Sequence, residues 1–467
     1  MFTSRTAIGL AWLLAAGSVT LVGCKKDGRK EGGQEGQAEK AAQGDKTGAG
    51  PDDKAGPGDK AATPSEGGGV LRLWHYETPN SAMGVAWKQA IADFEKSHPG
   101  VTVKFEEKGF EQIQQNAAMI LNSDEGPDLM EYNKGNATAG LLSSQGLLTD
   151  LSEEATRRGW DKLLSPSLQT TARYDARGVM GGDKWFGVPN YGEFVMVYYN
   201  KDLFAKHNAK VPTSLAELES VMQSFVKAKV PPISVAGAEY PAQQIFYLLA
   251  LSKANREFVT NYELYKGKVD FHGPELTFAA QTFADWVKKG YIPKDSAGIK
   301  AEDMGVAFMQ GKFPMLVSGS WWYGRFATEI KGFQWGSFLF PGNKLHPGSS
   351  GNIWVVPSHA KNKALAYDFI DQTMKPEIQE LLGNSGGVPV AADPSKITDP
   401  KNQELIAGFN AISSQDGLAF YPDWPVPGYY DVLVAGVQEL INGSKSPSQV
   451  LDELAKPYQD HVAGMSK

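Results

Sequence analysis

The residues of this 467-residue chain that could do chemistry are flat aromatic rings beside acids and amides, placed where apolar runs begin or end. Tyr76 and Glu77 follow the run Val70 to Trp74, and Asn133 follows the stretch that begins at Gly126. Tyr191 and Glu193 precede the run Phe194 to Tyr199, and Trp321 follows Phe313 to Val317. Trp424 lies in the Pro-rich phrase Phe420-Tyr421-Pro422-Asp423-Trp424-Pro425. An aromatic face suits the axial hydrogens of a sugar ring, while Asp, Glu and Asn suit its hydroxyls. The same set fits a glycosidase, which also lines a cleft with aromatics and uses two carboxylates about 5 to 9.5 Å apart. Composition does not separate binding from hydrolysis.

Two of these positions carry sharper arguments. Phe194 to Tyr199 is an unbroken β-branched and aromatic run, the composition of a strand covered on both faces. A carboxylate at its start, Glu193, needs a strong reason, because an unpaired buried charge is costly. Pro189 cannot donate to a ladder and Gly192 tolerates unusual dihedrals, so the first residues of this strand are expected to be bent or irregular. Asn200-Lys201-Asp202 then ends it and starts a helix near Leu203. The adjacent Trp321 and Trp322 cannot point the same way; Trp321 is assigned to a cleft and Trp322 to the core. Arg325, one turn on, reads as a surface ion pair, and Asp128 as a structural acid bonded to backbone.

The elements that must position these residues alternate. Val70 to Trp74, Val101 to Phe105 and the stretch from Gly126 read as strands, separated by helices at 83–96 and 111–121, and His98-Pro99-Gly100 stops the first helix. Such alternation means βαβ units and a mostly parallel sheet. Ligands of these sheets sit beyond the carboxyl ends of the strands, which singles out the loops 75–80 and 132–136. Further on, helices are expected at 214–227 with Ser214 and Glu217 as a capping box, and at 241–251, 275–288, 301–310, 364–374, 377–382, 429–441 and 447–462.

The start of the chain has another composition. Arg5 followed by the apolar stretch Ala7 to Leu21 reads as a signal peptide over residues 1–23, and Leu21-Val22-Gly23-Cys24 looks like a bacterial lipobox with Cys24 as the lipidated residue. Residues 25–69 contain no aromatic residue, valine, leucine or isoleucine, and their eight basic and nine acidic residues nearly cancel. Such a segment cannot repay the entropy of folding, so residues 24–69 are read as a lipid-anchored disordered linker.

Residues 70–467 are too many for one core, and two lobes are the expectation. The net charge of −7 speaks against nucleic acid as a partner. Cys24 is the lone cysteine and the seven histidines are dispersed, so no metal site and no cofactor are expected. Gly305 to Lys312 has the wrong spacing for a phosphate loop, with Phe313 where Ser or Thr is needed.

Several phrases resemble a known family. Phe186 to Phe204, with its closing phrase Tyr199-Asn200-Lys201-Asp202-Leu203, is similar to the crossover between lobes in bacterial extracellular solute-binding proteins of the maltose-binding-protein type. Phe308 through Gly311-Lys312, an apolar strand and Gly319-Ser320-Trp321 is similar to a second signature of that family, as are Gly146 to Leu151 and Gly386 to Val390. The resemblance implies an α/β, two-lobe periplasmic-binding-protein fold (type II), each lobe a mostly parallel sheet flanked by helices. Its lobes would be 70–190 with about 352–390, and 191–351 with about 391–467. Hinge crossovers are implied near Asn190, Asn352 and Gly387.

It also implies that Glu193 binds sugar, that Trp321 and Tyr429 are aromatic platforms, and that Gly351, at the return to the first lobe, belongs to the ligand site. The expected function is a monomeric lipoprotein that carries a carbohydrate to the permease of an ABC importer, touching the membrane through its lipid alone. A retaining or inverting glycoside hydrolase, and a binder of a polyamine or iron chelate, remain the alternatives.

Overall fold

The computed structural model describes residues 69–465; the leader, Cys24 and all but the last residue of the linker lie outside them. Two sheets organise the described chain. The first has five strands in the order Thr102–Glu107, Val70–His75, Leu129–Tyr132, Ile353–Val355, Val188–Pro189. The first three are mutually parallel, and Ile353–Val355 runs against both its neighbours. Pro189 sits on the edge strand, where a missing N–H is tolerated. The second sheet is built on the ten-residue strand Tyr191–Asn200, flanked by Trp335–Phe338 and Met315–Gly319, with Ile233–Ser234 beyond. Two short strands, Gly348–Ser350 and Val388–Pro389, add to the start of Tyr191–Asn200.

The first sheet is mostly parallel, as its βαβ alternation requires. The second is not: Tyr191–Asn200 is antiparallel to every partner, and the single parallel pair is Ile233–Ser234 with Met315–Gly319. Direction of travel explains the difference. Met315–Gly319 ends where Trp321 begins, whereas Tyr191–Asn200 starts at that same end because it arrives from the other sheet. A crossing strand therefore opposes the locally built strands. Ile353–Val355 opposes Leu129–Tyr132 for the same reason.

The strand Tyr191–Asn200 is buried along its length except for part of Tyr199, as its composition demands. Its start is regular, contrary to the expectation from Gly192. That residue pairs with both Ser350 and Val388, and glycine is needed for space: a Cβ there would lie 2.5 Å from the Phe409 ring.

Helices cover both sheets. Ala82–Ser97 starts on a Ser81 cap whose Oγ accepts from the Gly84 N–H at 2.9 Å, and packs Trp87 and Phe94 against Trp354 and Phe369. Ala242–Leu251 is buried on all sides and packs against Pro274–Lys288 and Tyr429–Asn442. Ser214 caps Leu215–Lys227, but Glu217 reaches back to the N–H and hydroxyl of Thr213 rather than to Ser214. Among the described residues no helix is long and apolar enough to cross a membrane.

Asp128 joins elements far apart in sequence. Its carboxylate accepts the N–H of Arg72 at 3.0 Å and those of Lys361 and Asn362 at 2.9 Å each. Asp128→Ala would strand three donors, at about 1–3 kcal/mol for a buried unmet group. We expect a loss of several degrees in melting temperature with ligand affinity unchanged, read by calorimetry and a binding titration on the same sample.

Candidate functional site

The strands of both sheets end on a common cleft, with an empty volume of about 1000 Å³ including its open mouth. From the first sheet come Tyr76 and Glu77, after Val70–His75, and Asn133 and Lys134, after Leu129–Tyr132. From the second come Glu193, Trp321, Trp322 and Arg325, with Tyr240, Gln243 and Gln244 at the head of Ala242–Leu251. Tyr421, Asp423, Trp424 and Tyr430 close one side, and Tyr191 and Asn352 lie at the crossings.

At the floor Lys134 donates to Glu193 at 2.5 Å and to the Asn352 amide oxygen at 3.3 Å. The two charged side chains are 2% and 6% exposed, so they are compensated by each other and not by water. The ammonium also lies 5.6 Å from the Tyr421 ring centre and 5.3 Å from that of Trp424, within cation–π range. The network continues through Asn352, whose amide donates to the Tyr191 hydroxyl at 2.9 Å. That hydroxyl donates to Glu77 at 3.4 Å, and Ser81 donates to the other Glu77 oxygen at 3.2 Å.

Burial, with a smaller push from the Glu193 charge, raises the Glu77 carboxyl to about 7. Burial likewise raises Asp423 to about 6 and lowers His75, behind Glu77, to about 3. Glu131 is fully buried behind the floor with neither oxygen hydrogen-bonded, and burial holds its carboxyl well above the usual range.

The upper wall is aromatic. Trp321 is half-buried, meets Tyr240 edge-on at 5.8 Å and Tyr421 at 6.4 Å, and folds its ring over Gly319. Trp322 is buried and stacks on Phe326 at 5.3 Å, the packing role expected for it, although one edge also reaches the cleft. Arg325 holds Glu302 through two bonds of 2.7 Å and Glu329 through one of 3.0 Å. Three contacts bridge the mouth between elements of the two sheets. Asn80 donates to Glu329 at 2.6 Å, Tyr430 donates to Glu111 at 3.1 Å, and Phe110 meets Tyr240 at 6.3 Å.

Of the residues singled out from sequence, Tyr76, Glu77, Asn133, Tyr191, Glu193, Trp321 and Trp424 line this cleft. Trp424 is 1% exposed and faces Lys134, so its ring is occupied by the protein's own ammonium. Tyr429 does not reach the cleft: it is buried in the helical core and donates to the Leu454 carbonyl at 2.8 Å. The helix phase explains why, since Tyr429, Leu433, Val437 and Ile441 form one buried stripe and Tyr430 falls on the next face. Gly351 does not line the cleft either. The Tyr191 ring fills the place of its side chain, 2.1 Å from where a Cβ would be.

Residues that sequence reasoning passed over include Lys134, Asn352, Tyr240, Gln243, Gln244 and Asp423. For Lys134 there was a usable signal, since a carboxylate buried at Glu193 demands a cation and loop 132–136 offers one. Tyr240, Gln243 and Gln244 follow a two-residue strand that has no pattern of its own. Among the described residues no group of three or more His, Cys, Asp or Glu is placed to hold a metal ion.

Lys134→Met would leave Glu193 uncompensated, and breaking a buried pair from one side is worth about 3–5 kcal/mol. Urea unfolding should show that loss, and Glu193→Gln combined with Lys134→Met should recover part of it. Equal stability of the single variant and the parent would show that the pair carries no weight.

The chain matches the family model of bacterial extracellular solute-binding proteins over residues 78–380, well over half its length. It is 23% identical over 428 residues to a galactooligosaccharide-binding protein of Bacillus subtilis (strain 168), covering 86% of this chain and 91% of that one. A probable sugar-binding periplasmic protein of Brucella suis biovar 1 (strain 1330) is 29% identical over 286 residues, 59% of this chain and 65% of that one. Among solved structures, a chitin oligosaccharide binding protein superposes with a TM-score of 0.71 at 20% identity, covering 85% of this chain and 99% of the other. Two mixed sheets facing one cleft, the crossing strand between them and this match have one conclusion: the chain belongs to the bacterial extracellular solute-binding protein family.

Proposed function

We propose that this protein is the exported, lipid-anchored receptor of an ABC importer, and that it captures a carbohydrate in the cleft and hands it to a membrane permease. One observation carries the reading. The cleft holds buried polar atoms of both kinds without partners: the amide oxygens of Gln243 and Gln244 as acceptors, the indole N–H groups of Trp321 and Trp322 as donors, and the Tyr76 hydroxyl. Unmet buried groups are expensive, so such a set is built for a ligand. Sugar hydroxyls donate and accept alike, and the aromatic faces among these groups suit the apolar side of a pyranose.

The names of the relatives support the same class of ligand. A binder is favoured over a glycosidase because Glu193 is held in an ion pair by Lys134 at 2.5 Å, whereas a nucleophile or general base needs its oxygen for the substrate. The lobes are 70–190 with about 352–390, and 191–351 with about 391–467, hinged near Asn190, Asn352 and Gly387. Closure is driven by ligand contacts that exist only in the closed form, added to contacts of the protein with itself such as the three that bridge the mouth. The protein acts as a monomer, on a linker tied to the membrane by acylated Cys24.

Trp321→Ala should weaken sugar binding roughly ten- to a hundredfold, since burying an aromatic face is worth about 1–3 kcal/mol. Its melting temperature should stay near that of the parent, and neither protein should release new reducing ends from oligosaccharides. A large fall in melting temperature with unchanged affinity would assign Trp321 to the core instead. Separately, Cys24→Ser should move the protein from the membrane to the soluble fraction, because the anchor resides in that residue. Retention of the variant at the membrane would rule the lipid anchor out.

A further inference from the structure

Charge bookkeeping in the cleft says more about the ligand than its aromatic walls do. Four carboxyls line it, Glu77, Glu193, Glu302 and Asp423, against two cations, Lys134 and Arg325. Both cations are already engaged. Lys134 is spent on Glu193 at 2.5 Å, and Arg325 on Glu302 and Glu329 at 2.7 to 3.0 Å. No cation in the lining is left for a carboxylate, phosphate or sulfate on a ligand. Two acids are left without a cation, Glu77 and Asp423. Glu77 has only the neutral hydroxyls of Ser81 and Tyr191, and Asp423 forms no ion pair among the described residues. In the same cleft lining the buried amide oxygens of Gln243 and Gln244, 1% and 5% exposed as residues, also lack donors.

Resting on the carbohydrate reading above, we propose that the cleft selects a sugar bearing a protonated amine over its neutral counterpart, and rejects sugars bearing a carboxylate or phosphate. An ammonium has three donors and no acceptor, the complement of two carboxyls that lack a cation and two unmet amide oxygens. The faces of Tyr240 and Trp321 supply the cation–π surface that an alkylated ammonium also uses. The raised carboxyls of Glu77 and Asp423 support the same reading, since burial is the largest cause in both, the Lys134 charge offsets it only in part, and a cation bound beside them would lower them further. The protein answers its own buried Glu193 in this way: the Lys134 ammonium, a carboxylate, an amide oxygen and two ring faces already form one such site.

The test is a calorimetric titration of the full-length protein against sets of mono- and oligosaccharides matched in linkage, each carrying a free amine, an N-acetyl group, a hydroxyl or a carboxylate at the same position. The amine is expected to bind at least tenfold more tightly than the hydroxyl analogue, with no detectable binding of the carboxylate. In the double variant Glu77→Gln, Asp423→Asn the ratio of amine to hydroxyl affinity should fall to about one. Both replacements keep shape and remove charge, and an unchanged circular dichroism melt checks that the variant folds. Equal affinity for amine and hydroxyl in the parent, or a preference that survives the double variant, overturns this inference and leaves the carbohydrate reading standing. Binding of none of the sugars overturns both, and binding of spermidine alone would transfer the amine preference to a non-sugar solute.

Discussion

The arrangement of the cleft depends on one buried ion pair, Lys134 with Glu193. Each member comes from a different sheet, Lys134 from the loop after Leu129–Tyr132 and Glu193 from the third residue of the crossing strand. Taking both charges out of water is worthwhile only when every remaining donor and acceptor is met. Much of the surrounding shape follows from that demand. Gly135 takes a φ of +115°, and the Trp424 ring occupies the place of its side chain, bringing the indole under the ammonium. The chain then makes a wide turn at Asn136–Gly140, with Thr138 donating to the Lys134 carbonyl at 2.7 Å. Asn136 ties the turn to the Glu263 carbonyl at 2.6 Å and the Met180 N–H at 2.8 Å.

Behind this pair the charge is unbalanced. Glu77, Glu131 and Glu193 share the field of a single Lys134, and burial keeps the first two from ionising as ordinary carboxyls do. The chemistry open to the cleft is therefore set by desolvation as much as by residue type.

Much of this was legible from sequence because two periods carried it. The alternation of strands and helices from Val70 to Leu142, and the apolar strand ending at Asn200, locate the cleft at the strand ends. The same reasoning placed Asp128 as a backbone-bonded acid, Trp322 in packing and Arg325 in an ion pair, and the structure shows those contacts. It missed what depends on neighbours distant in sequence. Gly192 makes room for the Phe409 ring, and Gly351 makes room for the Tyr191 ring. The helices Arg256–Leu264 and Pro400–Ser414 went unread because their apolar stripes are diluted by polar residues. Tyr429, expected at the ligand site, faces the helical core because it shares one stripe with Leu433, Val437 and Ile441.

Two of the three passages between the halves are very short: Asn190 alone on one, Gly351 and Asn352 on the other. They are also bonded to each other, with the Gly351 N–H donating to the Tyr191 carbonyl at 2.7 Å. Two bonded cords side by side make a ribbon, and a ribbon bends about the line across its width far more easily than it shears or twists. The two halves of the molecule then have one soft coordinate, an angle. A guest too bulky for the cleft props that angle open and a smaller one lets it shrink, so guest size is converted into the spacing of surfaces far from the guest. A second protein that grips both halves at once can read that spacing without touching the cargo.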